Sequence, residues 1–211
     1  MLELFLEGGP LMWPLLLVSV ATLSVVFERL LFLARESRTR QPAAVEALLR
    51  ATEAGALEEA VAAGRDSSDS LARSLALALE HREESFTNAM LRAASRDMKR
   101  FHRGLPVLDT AITLAPLLGL LGTVTGMIHA FGLLGAQELD APAAITGGIA
   151  QALIATAFGL GIAITALIPF NFLNAKLEER RHELEDTASR VELLLLRHRG
   201  IGTGGREGDG R

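Results

Sequence analysis

Two long stretches of this chain carry no charge. No Asp, Glu, Lys or Arg occurs from Thr110 to Gln137, nor from Ala141 to Ala175, runs of 28 and 35 residues. A third apolar stretch, Leu11 to Phe27, contains MWPLLLVSVATLSVVF and continues as LLFLA after Glu28–Arg29. A helix needs roughly 20 apolar residues to cross a bilayer. The first stretch reaches that length if Glu28 and Arg29 lie near the headgroups or pair with each other. The pattern predicts an all-α integral membrane protein with three transmembrane helices and long cytoplasmic helical extensions. An N-terminal outside segment with the first span occupies 1–34, a cytoplasmic helical insert 35–104, the second span 105–136, an outside turn 137–141 and the third span 142–173. A cytoplasmic helix over 174–199 and a disordered, Gly-rich tail over 200–211 complete the chain.

Finer signals mark the element ends. Asp140 followed by Pro142 reads as a helix start, with a capping carboxylate and Pro in the first turn. Gly132, Gly135 and the polar run Gln137–Asp140 supply the turn between the second and third spans. In the insert, Val45–Ala63 and Ser70–His81 are rich in helix-forming Ala, Leu, Glu and Arg. Between them GRDSSDS (Gly64–Ser70) reads as a turn with capping residues. Asn88–His102 places Met90, Leu91, Ala94, Met98 and Phe101 on one helical stripe, interrupted before the second span only by Gly104 and Pro106. After the third span, Leu177, Leu184, Val191, Leu194 and Leu195 continue a helix that Gly200 is expected to stop. Pro169 is positioned to kink the third span. No internal repeat is present.

Charge then sets orientation. Thirteen of the 21 Lys and Arg fall between Arg29 and Arg103 and the other eight between Lys176 and Arg211. The first ten residues and the loop between the second and third spans hold none. The positive-inside rule therefore places the N-terminus and that loop outside, with the insert and the C-terminus in the cytoplasm. The N-terminus MLELFLEGG lacks the positive region and cleavage site of a signal peptide, so the first span is read as retained. A net charge of −4 implies no general affinity for nucleic acid. The absence of Cys excludes disulfides, thiolate metal sites and Cys nucleophiles. The five His show no metal-ligand spacing with supporting carboxylates. No catalytic constellation is visible, so neither an enzyme, a metal site nor a cofactor is expected.

Polar groups inside a bilayer each need a partner. Gly119, Gly122 and Gly126 in the second span, and Gly159 in the third, are small residues that let helices approach closely. Thr123 and Thr125 lie mid-span. About 100° per residue puts Asp109 and Thr123 within about 40° on one face, with Asp109 at the cytoplasmic mouth and Thr125 pointing elsewhere. The third span contributes Thr146, Gln151, Thr156 and Thr165. Gln151 must find a partner, and it stands about 140° around the helix from Thr156, which suits a seam between helices better than a shared stripe. His129, the only titratable group inside either uncharged run, fits a proton relay or an interfacial site near the outer headgroups.

APLLGLLGTVTGMIHAF (Ala115–Phe131) together with GIAQALIATAFGLGIAITALIPFN (Gly148–Asn171) resembles the MotA/TolQ/ExbB proton-channel family, closest to its ExbB/TolQ branch. Three spans, an outside N-terminus, the large insert and Glu28–Arg29 at the end of the first span agree with it. The resemblance implies an inner-membrane pentamer in diderm bacteria whose second and third spans line a pore. That pore encloses two copies of a single-span ExbD- or TolR-like partner, whose membrane Asp carries the proton. The motion passes to TonB or to a TolA-like protein of the Tol–Pal system. The family's pore threonines fall on Thr123 and Thr156. Thr123, Thr156, Gln151 and Asp109 are thus the expected pathway residues. Family members often carry Glu where this chain has Gln151, which cannot titrate. Two other readings remain: a non-conducting membrane scaffold, and a flagellar-type stator subunit, which usually has four spans.

Overall fold

The computed structural model describes the backbone of residues 2–134 and 141–204, and the side chains of residues 5–132 and 146–198. Among the described residues eight helices follow one another: α1 (Leu2–Glu7), α2 (Met12–Thr39), α3 (Pro42–Glu53), α4 (Leu57–Arg65), α5 (Ser70–Glu80), α6 (Arg82–His102), α7 (Leu105–Leu134) and α8 (Ala141–Gly204). No strand occurs among the described residues. Three stretches, within Met12–Thr39, Arg82–Gly132 and Thr146–His198, are long and apolar enough to cross a membrane. The chain divides into two compact units, residues 1–31 with 104–174 and residues 32–103 with 175–211.

The first unit holds the apolar helices, and its packing is the reverse of a water-soluble core. Its buried positions are largely small: Ala111, Ala115 and Ala130 of α7, and Ala152, Ala155, Ala163 and Ala166 of α8. Many of its large side chains point outward, with Leu117 61%, Leu153 62% and Ile168 69% exposed. A lipid tail solvates Leu as well as a protein interior does, so close helix approach, not Leu burial, holds such a unit together. Met12 and Leu15 of α2 pack against Ala115 and Ala155 in its small core. Glu28 and Arg29 pair with each other at the end of the apolar part of α2, which removes the obstacle to a long first span. The sequence pattern did not reveal α1. It joins α2 through Gly9, whose φ of +76° favours glycine.

The second unit is an ordinary helical bundle. Leu71, Leu75, Ala78 and Leu79 of α5 recur at helical spacing and face Leu48, Val61, Phe86, Met90, Leu184 and Val191. Three expectations need correction. Val45–Ala63 is two helices, because Gly55 adopts φ +79°. The amide of Ala56 then bonds the carbonyl of Ala51 and that of Gly55 the carbonyl of Thr52, a left-handed helix stop. Helix α6 contains the expected Asn88–His102 helix; it begins earlier, at Arg82, and is broken at Ser85, whose backbone is extended. Leu91 is 65% exposed and leaves the stripe formed by its neighbours. Gly200 does not end α8, which contains Pro169 and runs on to Gly204; one glycine costs only about 1 kcal/mol in a helix. Gly104, with φ +85°, does separate α6 from α7. The turn at 137–140, the cap at Asp140 and the tail beyond Gly204 lie outside the described residues.

Candidate functional site

Helices α7 and α8 pair along a line of small residues in the first unit. A Cβ at Gly119 would stand 3.0 Å from the Cα of Thr156, and one at Gly122 2.6 Å from the Cβ of Ala155. At Gly126 it would lie 2.9 Å from the Cβ of Ala152, and at Gly159 2.5 Å from the carbonyl oxygen of Ala115. Only hydrogen fits at Gly159 unless backbone moves. By contrast, a Cβ at Gly161 would meet nothing within 4 Å.

The threonines make different bonds on this pair. Thr156 donates across the seam to the carbonyl of Gly119 at 2.8 Å, whereas Thr123 donates within its own helix to Leu120 at 2.7 Å. Both hydroxyl protons are thus committed to backbone oxygens, and both hydroxyl oxygens keep lone pairs for an incoming donor. Thr125 bonds the carbonyls of Leu121 and Gly122, and Thr165 that of Gly161. Asp109 is exposed near the start of α7.

Gln151 lies against the turn before α2. A Cβ on Gly9 would fall 1.7 Å from Gln151 Nε2, so the carboxamide occupies the space that only glycine leaves open. It also borders a cavity of about 300 Å³ with Thr125, His129, Gly126, Pro10 and Leu11. The structure therefore groups Gln151 with His129 and the N-terminal turn, and Thr156 with Gly119. Sequence reasoning missed the first grouping. The Gly8–Gly9–Pro10 turn was its signal, but nothing in the sequence shows which helix the turn approaches.

The second unit holds a buried charge cluster that sequence reasoning did not single out. Arg180 of α8 donates to Glu183 at 2.8 Å and to Ser70 at 2.8 Å, and lies 3.4 Å from Asp69 and 3.7 Å from Glu36. Its guanidinium also stands 6.0 Å from the centre of the Phe101 ring. Asp69 caps α5 by accepting from the Leu71 amide and also accepts from the Gln41 amide, at 2.8 and 2.9 Å. Burial pushes Asp69 upward, but those two amides and then the charges of Arg180 and Arg40 outweigh it, so its carboxyl is held below the ordinary value. Burial likewise pulls Arg180 down, and Glu183, Asp69 and Glu36 together raise it. Among the described residues no group of three His, Asp or Glu could hold a metal ion.

The sequence model of the MotA/TolQ/ExbB proton channel family matches residues 56–186, more than half of the chain. The chain belongs to that family. An ExbB-like biopolymer transport protein of Synechocystis is 38% identical over 206 residues, covering 92% of this chain and 78% of its own length. The biopolymer transport protein ExbB of Neisseria gonorrhoeae is 38% identical over 99 residues, 47% of this chain and 45% of its own. The Tol-Pal system protein TolQ of Pseudomonas aeruginosa is 40% identical over 95 residues, 45% of this chain and 41% of its own. The match to these last two thus spans less than half of each relative. Within the MotA/TolQ/ExbB family the chain falls in the ExbB/TolQ branch. With its three apolar helices, it is a multi-pass membrane protein.

Proposed function

We propose that this protein is the proton-channel subunit of an inner-membrane, energy-transducing motor of the ExbB/TolQ type. Five copies surround a single-span ExbD- or TolR-like partner, and the assembly passes work to TonB for transport or to a TolA-like protein for envelope maintenance. The N-terminus is periplasmic and the C-terminus cytoplasmic. The observation that carries this reading is the α7–α8 pair. Its glycines hold two helices in close contact, Thr123 and Thr156 are its mid-span hydroxyls, and the sequence offers no carboxylate from Thr110 to Gln137 or from Ala141 to Ala175.

The bonding of the two threonines gives the reading a chemical form. A partner carboxyl in a dry, apolar pore favours its neutral state. Each Thr hydroxyl has its proton engaged with a backbone carbonyl. What it offers an incoming group is an acceptor, which suits a carboxylic acid and not a carboxylate. Protonation would let the partner dock against Thr123 or Thr156, and deprotonation would release it. Asp109 at the cytoplasmic mouth concentrates cations there. Gln151, held against Gly9, acts in packing and not in proton transfer.

The test is proton flux into liposomes holding this protein with its single-span partner. Flux that disappears when the partner's membrane Asp becomes Asn supports the reading. Thr123→Val or Thr156→Val should reduce flux at least several-fold while the complex still assembles; unchanged flux in both would reject the role given to the hydroxyls. A non-conducting scaffold is the second reading, favoured by the non-titratable Gln151. A correctly oriented complex without flux would favour it, or a channel that stays plugged until TonB or another load engages. The three apolar helices disfavour a flagellar-type stator.

A further inference from the structure

A second cavity, of about 380 Å³, opens on the helical bundle between α4, α5 and α6. Four arginines border it, Arg65, Arg73, Arg96 and Arg100, with Glu80 and Asp97. Their bonds are unequal. Arg65 is neutralised by Glu80 at 2.6 Å. Arg73 is fixed by two backbone carbonyls, Ser67 at 3.0 Å and Ser68 at 2.8 Å, but has no carboxylate partner among the described residues. Arg96 makes neither an ion pair nor a hydrogen bond among them. Arg100 lies 4.0 Å from Asp97 Oδ1. Four cations against two acids leave a formal excess of two positive charges.

Asp97 narrows the choice of ligand. It is 8% exposed, and its Oδ2 is buried with no hydrogen-bond partner among the described residues. An ionised carboxylate only accepts hydrogen bonds. A ligand that fills this cavity must therefore present acceptors to the arginine forks and a donor to Asp97. Sulfate and ionised phosphodiesters present acceptors alone. Hydrogen phosphate keeps one O–H, carries two negative charges and suits guanidinium geometry.

We infer that this cavity is a binding site for inorganic phosphate that discriminates against sulfate through Asp97. Arg73, already anchored to the backbone, and the unpaired Arg96 supply the main contacts. The site lies in the bundle and needs neither the partner subunit nor proton flux, so its failure and that of the channel reading are independent.

The experiment is calorimetric titration of the purified full-length protein in detergent with sodium phosphate and with sodium sulfate, at neutral pH and equal ionic strength. Phosphate should bind at least tenfold more tightly than sulfate. Arg96→Ala, an exposed change that leaves the core intact, should weaken phosphate tenfold or more. Asp97→Asn should bring sulfate to within a few-fold of phosphate, because an amide can donate. Vesicles of phosphatidylmethanol, an anionic diester with no headgroup O–H, should not compete. Equal affinity for the two anions, an Arg96→Ala protein that binds like the wild type, or displacement of phosphate by the lipid vesicles would each overturn the assignment. If Asp97→Asn fails to fold, Arg73→Ala decides, with the same tenfold loss expected.

Discussion

Asp69 illustrates how much of a residue's role depends on what surrounds it. The sequence marks it as a cap within GRDSSDS, and it does accept from the Leu71 amide. It also accepts from Gln41 and faces Arg180, which is 111 positions away. Because its carboxyl is held below the ordinary 3.8, its stabilisation is complete above that pH and is lost as the pH falls through the lower folded-state value. Melting temperatures of the wild type and Asp69→Asn, taken from about pH 6 to pH 3, should therefore differ most above pH ~4 and converge below it. A gap of constant size would remove Asp69 from the acid response. Gln151 is a second case. Its wheel position separated it from Thr156, but its contact with Gly9 depends on where the N-terminal turn folds back.

At the scale of elements, two glycines of α8 that look alike in sequence differ in what they touch. Gly159 presses on the carbonyl of Ala115, whereas Gly161 faces open space. Gly159→Ala should destabilise the folded protein by about 1–3 kcal/mol, since overpacking forces the backbones apart. Gly161→Ala should be neutral or slightly stabilising because Ala is the better helix former. Thermal unfolding in detergent distinguishes them, and equal effects would show that the α7–α8 seam is not as close as described. Periodicity made the long helices legible but not their interruptions. The stop at Gly55 required the backbone angle, because the Ala-rich sequence on both sides favours helix.

For the whole molecule, the segregation of charge carries the prediction. The protein has no Cys, so single cysteines can report topology. Leu6→Cys should react with a membrane-impermeant maleimide in cells whose outer membrane alone is permeabilised, whereas Ser189→Cys should react only after the inner membrane is opened. The reverse pattern would invert the orientation on which the pore-mouth role proposed for Asp109 depends. Both positions are exposed in the folded chain.

The sequence alone determined the all-helical class, the three apolar spans and the family, because uncharged runs and small-residue spacing are local properties written along the chain. Tertiary structure decided which of those small residues touch, that Thr156 bonds Gly119 while Thr123 stays on its own helix, and that Gln151 shares a cavity with His129. It alone brought Arg180 to Asp69, and Arg73 and Arg96 to one cavity. Each of these depends on which face of a helix meets which neighbour. A periodic pattern identifies a face, but the neighbour is chosen only when the chain folds.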